Sequence, residues 1–464
     1  MKNILLLLLI FILLPLRYQS QKPFQWSSSE IKQKIDKLSV LGNVLYLAAH
    51  PDDENTRFIS YCANERLFNT AYLSLTRGDG GQNLIGSELR EELGIIRTQE
   101  LLAARRLDGG SQFFTRANDF GYSKGPKETL EIWSKDKILS DVVYVIRKFR
   151  PDVIVCRFPN DGRGGHGHHT SSALLAEEAF NLASDPNSFP DQLDLVEPWA
   201  PSALYLNTGR WWNDKISAIQ DSVIAINIGG YNPLLGISYN ELASKSRTMH
   251  KSQGFGSTGY RGDYEEFFEF LKGEYNDDLI DREVHSTWKR LEGTEDIVKK
   301  LEHIKSVFDV NNPSAVVDDL FKLRSMVEQI KYSHWKQIKI KEIETLIIQC
   351  SGIYLEAIAD NYQKSINDSL TVGFEFIQRT KFNNIKLQSV SCKALSYTEQ
   401  FQLWLKPNKR INEDRLFQVR SGEISQPYWL VNRGTMGAYD IPNQTLVGDP
   451  ENAPVYVFNA MLVI

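Results

Sequence analysis

The chain is poor in several features that mark particular protein classes. It has 4 cysteines in 464 residues and no Cys-x-x-Cys pair, so neither a zinc ribbon nor a dithiol redox motif is indicated. Its 53 basic residues nearly balance its 58 acidic residues, and the formal net charge of -5 gives no reason to expect a polyanion-binding surface. We therefore expect no nucleic-acid partner. The sequence also lacks internal repeats and low-complexity tracts.

Long apolar runs are missing too, except at the N-terminus. Lys2 is followed by an apolar run from Ile4 to Leu14, which has signal-peptide length and is too short to span a bilayer comfortably. We expect residues 1–20 to be a signal peptide and the protein to be exported to the periplasm, the cell surface or the medium, without a stable transmembrane span after processing. The alternative is an uncleaved anchor that holds the domains outside.

Short apolar runs alternate with helical segments across residues 21–285, as in an α/β domain with a mainly parallel sheet. Glycine clusters at residues 78–81 and 162–165 follow predicted strands, which is where open α/β sheets place ligand loops. This stretch is therefore the predicted catalytic domain. Its predicted strands are Val44–Ala49, Ala71–Leu75, Val153–Arg157, Ala203–Leu206 and Val223–Ile228.

Helical periodicity is strongest in two places. One lies before Gly109 and Gly110, which supply a stop signal. The other is residues 286–368, which we interpret as a packing or spacer segment. The periodic residues are Leu89, Leu93, Ile96 and Ala103 in the first place, and Ile297, Leu301, Ile304 and Phe308, then Val316, Leu320, Leu323, Val327 and Ile330, then Ile343, Leu346, Ile347, Cys350 and Tyr354 in the second.

Residues 369–464 contain β-rich runs separated by Asn, Gly and Pro, as in a sandwich-like module. Whether this module is complete, and whether it is independent of the catalytic fold, stays open here. Its predicted strands are Thr371–Gln378, Ile385–Ala394, Phe401–Leu405, Gln426–Val431 and Val455–Ile464.

Two motifs that follow predicted strands hold four of the eight histidines. Residues 48–54 read Ala-Ala-His-Pro-Asp-Asp-Glu, and residues 164–169 read Gly-Gly-His-Gly-His-His. A hydrolytic zinc needs three protein ligands and one open position for water. Because both motifs follow strands of the same sheet, their conjunction predicts a catalytic zinc site.

The first motif offers two ligands and a base. His50 and Asp53 are three residues apart, so a helix beginning after Pro51 would place them on one side. Asp52 would then stay off the metal. An unliganded carboxylate beside a zinc-bound water is the expected position of a general base.

The second motif has the same three-residue offset between His166 and His169, at the start of a predicted helix. One of the two would complete the metal site. The other, protonated, would stabilise the oxyanion of a tetrahedral intermediate and then protonate the leaving amine. We expect His168 to point elsewhere on the turn and to have a structural role or to support the ligands without binding the metal.

Taken together, these motifs resemble the LmbE-like, or PIG-L, zinc de-N-acetylases. The pattern consists of Ala-His-Pro-Asp-Asp-Glu after the first strand, a Thr-x-Gly-Asp-x-Gly loop at residues 76–81, and the later His-x-x-His. Arg97–Ala104 and His250–Gln253 are also similar to family segments. The resemblance covers about residues 40–260 and implies a Rossmann-like, mainly parallel sheet, with extra C-terminal domains in this exported form.

The resemblance implies zinc on His50, Asp53 and His169, with Asp52 as the general base and His166 as the polarising acid. The implied activity is that of a metal-dependent amidohydrolase on linear amides, with an N-acetylated sugar or glycoconjugate as substrate, often one containing N-acetylglucosamine. Arg97, Asp79 and Asp119 are implied as substrate contacts. His250 is expected to support the ligands without binding the metal.

One departure from the family pattern concerns the second motif. The family commonly has His-Pro-Asp-His, whereas this chain has His-Gly-His-His at residues 166–169 and so lacks an acidic residue that supports the imidazoles. Two other functions fit the same residues: a catalytically inactive carbohydrate-binding or adhesion protein, and a zinc-dependent esterase. Retention of both a metal triad and a free base argues against the inactive form. Trp211 and Trp212 are either a sugar-stacking platform or core residues.

Overall fold

The computed structural model describes residues 25–209, 212, 216, 223–280, 286–331, 333–382, 385–420 and 424–464. The predicted signal peptide, the predicted boundary at residue 285, and Trp211 lie outside these ranges. Within them, no helix combines the length and apolarity needed to cross a membrane. The four cysteines are buried, free thiols.

A seven-stranded sheet forms the centre of the α/β part of the molecule. Its strands are β1 (Asn43–Ala48), β2 (Asn69–Thr76), β3 (Ser111–Ala117), β4 (Val153–Cys156), β5 (Ala203–Thr208), β6 (Val223–Asn227) and β9 (Glu265–Gly273); β7 (Tyr231–Asn232) and β8 (Ile237–Ser238) form a separate pair. The order is β3-β2-β1-β4-β5-β9-β6. Among the described strands of this sheet, β9 runs in one direction and the other six run in the opposite direction. The predicted mainly parallel α/β sheet is therefore confirmed.

Two strands of this sheet, β3 and β9, were not predicted. Glu266 in β9 is buried and accepts a hydrogen bond from Asn207 Nδ2 at 3.1 Å. A charged residue inside a buried strand weakens the apolar pattern by which strands are recognised.

Helices cover both faces of the sheet. Tyr46 of β1 packs in one core cluster with Phe58 and Leu101, whereas its neighbour Leu45 packs in another with Val142. Successive strand residues point to opposite faces, so the two clusters lie on opposite sides. The helices are α1 (Ser28–Lys37), α2 (Thr56–Asn64), α3 (Glu91–Asp108), α4 (Pro126–Trp133), α5 (Lys135–Phe149), α6 (Gly167–Leu182) and α7 (Tyr239–Arg247).

Helix α3 stops where the sequence predicts. Gly109 has φ = 83°, a left-handed conformation suited to glycine, and donates its N–H to Arg105 O. The predicted start was wrong, because Leu89 precedes the helix and is exposed.

Strands β1 and β4 are neighbours, with Leu47 opposite Cys156. The chain nevertheless passes from β1 outward to β2 and β3 and returns to β4 on the other side of β1. This reversal of direction is a topological switch point, where the loops that leave the two strands diverge and open a crevice.

Three helices follow the α/β part: α8 (Glu295–Val307), α9 (Val317–Gln329) and α10 (His334–Cys350). They contain most of the three predicted stripes. Phe308, Val316 and Ile330 flank the helices, and Tyr354 lies in the next strand. Leu320 and Leu346 of this segment share a core with Ile31 and Ile35 of α1. The segment is therefore packed against an N-terminal helix.

The β-rich part forms two three-stranded antiparallel sheets with a common core that includes Phe374 and Leu387, which supports the sandwich-like prediction. The first strand of these sheets begins at Ile353. The predicted strand Gln426–Val431 was wrong, because Tyr428–Leu430 forms a 3-10 turn. The strands are β10 (Ile353–Ala359), β11 (Ser369–Gln378), β12 (Lys386–Cys392), β13 (Tyr397–Trp404), β14 (Ile411–Gln418) and β15 (Asn459–Val463).

Residues 426–452, which we call the returning segment, leave these sheets and lie along β3. Backbone hydrogen bonds join Asn118 N to Gly437 O at 3.0 Å and Tyr439 N to Arg116 O at 2.8 Å. Part of the predicted C-terminal module therefore packs on the α/β domain. The module boundary itself stays a prediction.

Candidate metal centre

His50 and Asp53 lie in a turn directly after β1. Asp53 Oδ2 accepts the backbone N–H of His50 at 2.8 Å, and Asp53 N donates to His50 O at 3.3 Å. The chain does not turn into a helix directly after Pro51, since α2 begins only at Thr56. The turn nevertheless brings the two side chains together, with 3.1 Å between His50 Nδ1 and Asp53 Oδ2.

The ligating atoms of His50, Asp53 and His169 all lie within 4.8 Å of one another. His169 Nδ1 lies 2.9 Å from Gly164 O, an acceptor only, so this nitrogen carries the proton and Nε2 keeps its lone pair. The Nε2 atom is 3.7 Å from Asp53 Oδ1. Phe158 stacks on the His169 ring with 3.8 Å between centroids and fixes its plane.

A second group of possible ligands shares His50 and adds His166 and His168. His168 Nδ1 lies 3.0 Å from His50 Nε2, so His168 is much closer to the centre than its predicted orientation suggested. Its ring is fully buried between Trp133 and Phe120. Burial, together with the neighbouring imidazoles, lowers the pKa of His168 far below its usual range, so the ring is neutral.

His166 caps the N-terminus of α6. Its Nδ1 accepts the backbone N–H of His168 at 3.0 Å, which places the proton of the neutral ring on Nε2. Burial, and then His50 and His169, lower the pKa of His166 to about 4. The geometry makes Nε2–H a hydrogen-bond donor.

Asp52 belongs to neither ligand group. It has φ = 93°, a strained conformation for a residue other than glycine, and such residues concentrate at functional sites. Its N–H is held by Glu54 Oε2 at 2.9 Å, and Arg97 Nη2 lies 3.3 Å from its Oδ1. Burial raises the pKa of Asp52 to about 6, although Arg97 opposes the shift. For Asp53, the effect of burial is outweighed by His169 and His50, which hold the pKa of that carboxyl well below its usual range.

The three predicted substrate contacts are buried and face protein groups. Arg97 donates to Gly78 O at 3.2 Å and to Pro51 O. Asp79 accepts from the hydroxyl of Tyr439 in the returning segment. Asp119 lies 3.7 Å from His168 Nδ1 and 3.9 Å from His50 Nε2. Their role toward substrate stays a prediction.

A buried charged network beneath the turn contains the predicted His250 together with three charged residues that sequence reasoning missed: Glu54, Arg105 and Asp108. Glu54, with no exposed side-chain surface, pairs with His250 at 2.8 Å and Arg105 at 3.2 Å. Arg105 also pairs with Asp108 at 2.6 Å, and Ser246 Oγ donates to Asp108. Burial alone would raise the pKa of Glu54, but His250 and Arg105 hold it at about 2. Among the described contacts, His250 pairs with Glu54 and does not touch the candidate ligands. The sequence feature that could have revealed this network is the charged Glu54 within the first motif.

A cavity of about 530 Å³ opens beside His169. This volume suits a small-molecule ligand. Its lining includes aromatic, cationic and small polar side chains: Phe158, Trp212, Tyr264, Arg57, Arg157, Arg247 and Ser244.

The chain is similar to several known proteins. The family model PIG-L: GlcNAc-PI de-N-acetylase matches residues 45–180. A 1D-myo-inositol 2-acetamido-2-deoxy-alpha-D-glucopyranoside deacetylase from Streptomyces scabiei is 29% identical over 193 residues, which cover 37% of this chain and 58% of the relative. A mycothiol S-conjugate amidase from Streptomyces coelicolor is 26% identical over 176 residues, 35% of this chain and 59% of the relative. The chain thus spans less than two thirds of the length of these relatives.

Among solved structures, the N,N'-diacetylchitobiose deacetylase from Pyrococcus horikoshii aligns with a TM-score of 0.37 and 18% sequence identity. The alignment covers 55% of this chain and 95% of that one.

Proposed function

We propose that this protein is a metal-dependent amidohydrolase that removes the acetyl group from an N-acetylated sugar or glycoconjugate, because residues 45–180 match the PIG-L family model and the two relatives are a deacetylase and an amidase. The observation that carries the proposal is the separation of Asp52 from the ligand group formed by His50, Asp53 and His169. Adjacent carboxylates have different surroundings, which is the arrangement expected when one binds metal and the other moves a proton.

The donor set fits zinc. Two imidazoles and one carboxylate are a common set in catalytic zinc sites, and the Gly164 contact fixes His169 in the tautomer that ligates through Nε2. We therefore assign His50, Asp53 and His169 as ligands. When bound there, zinc would act as a Lewis acid that activates water and polarises the acetamido carbonyl.

Two side chains would act during the reaction, one on the attacking water and one on the developing oxyanion. Asp52, held beside Arg97, accepts a proton from the attacking water. His166 donates a hydrogen bond from Nε2 to the oxygen that becomes the oxyanion. The proton that Asp52 accepts from the water is then passed to the leaving amine. Because Nδ1 accepts the His168 N–H and burial lowers the pKa of His166 to about 4, the ring would act in its neutral form.

The substrate class rests on the relatives and on the cavity. The names of the two relatives describe action on an acetamido-glucopyranoside and on a mycothiol conjugate. The aromatic side chains of Phe158, Trp212 and Tyr264 beside His169 would provide apolar faces for a sugar ring. An N-acetylated saccharide is therefore the proposed substrate.

The test is to measure bound metal and to follow acetate release from a panel of N-acetylated saccharides. We expect about one metal ion per chain. Asp52→Ala should lower kcat by about a hundredfold or more, in line with general-base contributions of about 10²–10⁴. The matched control is Asp296→Ala, because Asp296 is 80% exposed and its carboxylate pairs only with Lys299 among the described contacts.

Chains that hold no stoichiometric metal would reject the enzyme and favour the binding-protein alternative. Acetate release that survives Asp52→Ala would reject the mechanism. Faster release from O-acetylated than from N-acetylated sugars would favour the esterase alternative.

We also propose that the protein is exported, on the basis of the apolar run from Ile4 to Leu14. N-terminal sequencing of the protein from its native host should find the chain beginning close to residue 21. A mature chain that begins at Met1 would contradict cleavage.

A further inference from the structure

The returning segment encloses a charged side chain of the loop that follows β2. Arg77 is 1% exposed, and its guanidinium lies between Trp429 and Phe114, with 3.4 Å and 4.3 Å from Cζ to the two ring centroids. It donates to Pro450 O at 2.8 Å and to Tyr428 Oη at 3.1 Å. A buried guanidinium is stable only when such partners replace water, so the returning segment fixes Arg77 in place.

The next charged residue of the same loop is held by the same segment. Asp79 is 3% exposed and accepts a hydrogen bond from the Tyr439 hydroxyl. Its carboxylate lies against Gly94 of α3, where there is no room for a Cβ atom. Asp79 is thus clamped between α3 and the returning segment.

Gly78, between these two clamped residues, reaches the catalytic motif. Its carbonyl accepts from Arg97 Nη1 at 3.2 Å. The other terminal nitrogen of Arg97, Nη2, donates to Pro51 O and lies 3.3 Å from Asp52 Oδ1. A shift of the loop therefore moves the guanidinium that orients Asp52.

We propose that the returning segment is part of the catalytic apparatus, with Tyr439 as a positioning residue that acts on Asp52 through Asp79, Gly78 and Arg97. The inference rests on the proposed role of Asp52. It assigns a catalytic contribution to a stretch of chain far outside residues 45–180, which match the family model.

The test uses the full chain with Tyr439→Phe, which removes one hydroxyl. The matched control is Tyr397→Phe, because Tyr397 also donates to a carboxylate, Glu399 at 2.7 Å, but lies in β13. We expect Tyr439→Phe to lower kcat about tenfold while KM and bound metal stay within twofold of the wild type, since neither the ligands nor the cavity are touched. The control should keep the wild-type kcat.

Hydrogen exchange provides a readout that does not depend on the reaction. Amides of residues 76–81 should exchange faster in Tyr439→Phe than in Tyr397→Phe, because the loop loses a buried anchor. If Tyr439→Phe does not fold, Trp429→Phe replaces it, with the exposed Trp404→Phe as its control.

A kcat for Tyr439→Phe equal to that of the control would overturn the proposal, as would a fall in kcat that is accompanied by loss of metal. If the wild type releases no acetate at all, the proposed function fails separately. Unchanged hydrogen exchange of residues 76–81 in Tyr439→Phe would then reject the proposed hold of Tyr439 on this loop, and faster exchange would support it.

Discussion

Glu54→Gln is expected to destabilise the protein and to disturb the turn that carries Asp52. Glu54 Oε1 accepts from His250 and Arg105, and Oε2 accepts from the backbone N–H of Asp52. Glutamine has almost the same shape but only one acceptor oxygen. Its NH₂ group must therefore face a donor, either at Asp52 or at the His250 and Arg105 pair.

The size of the effect follows from burial and from the partners that remain. Removing one partner of a buried ion pair costs about 3–5 kcal/mol when the other charge is left alone. Arg105 is not left alone, because Asp108 stays 2.6 Å away. We therefore expect a smaller loss of unfolding free energy, about 2–3 kcal/mol, or roughly 4–12 °C in Tm if 1 kcal/mol corresponds to about 2–4 °C.

Thermal unfolding at pH 7 with saturating metal measures this loss. The control is Glu197→Gln, which breaks the ion pair with Arg150, where Glu197 is 64% exposed; an exposed pair contributes less than about 1 kcal/mol. Equal Tm values for the two variants would refute the reasoning, because burial would then make no difference. The kcat of Glu54→Gln should also fall, since the φ = 93° conformation of Asp52 loses its hydrogen bond.

Three further outcomes are expected. His169→Ala should abolish stoichiometric metal binding measured by elemental analysis, whereas His166→Ala should keep the metal and lose acetate release; metal loss in both variants would favour the ligand group that contains His166. Chelation of the metal should lower the Tm of the wild type but not that of Asp53→Ala, since a ligand at about 100 times its Kd adds about 2.7 kcal/mol to the folded state. Burial raises the pKa of Asp79 from 3.8 to about 6, so the neutral carboxyl contributes stability that is complete below about pH 4 and lost as pH rises through 6; Asp79→Asn should remove this decline, by up to about 3 kcal/mol, in denaturant titrations at pH 4 and pH 7. Parallel pH profiles for Asp79→Asn and the wild type would count against that assignment.

Local patterns predicted the centre of the fold well because burial there is regular. The segments that form β1, β2, β4, β5 and β6 are continuous or alternating apolar stretches, and such patterns are typical of buried β-strands. The strands that went unpredicted, such as β9 and β14, carry charged residues that interrupt the apolar pattern. Leu89 followed helical periodicity but lies before α3, since periodicity does not fix where a helix begins.

The site divides in the same way. Sequence spacing brought His50 and Asp53 together with either His166 or His169, because the two motifs follow adjacent parallel strands whose ends meet at one edge of the sheet. The family resemblance then implied His169, which shares a ligand group with His50 and Asp53. The backbone conformation from His50 to Asp53 did not follow from the spacing, since hydrogen bonds within the turn, and not a helix, set the approach of the two side chains.

By itself, then, the sequence determined five strands of the sheet, the two motifs and a short list of candidate ligands, because these depend on short-range periodicity and on residue type. Only the tertiary structure decided which side chains surround them. Contacts such as Tyr439 with Asp79, or His250 with Glu54, join residues 360 and 196 positions apart, and no local pattern records such pairs. The physical reason is that a buried charge takes its partner from whatever the fold brings near it, at any distance along the chain.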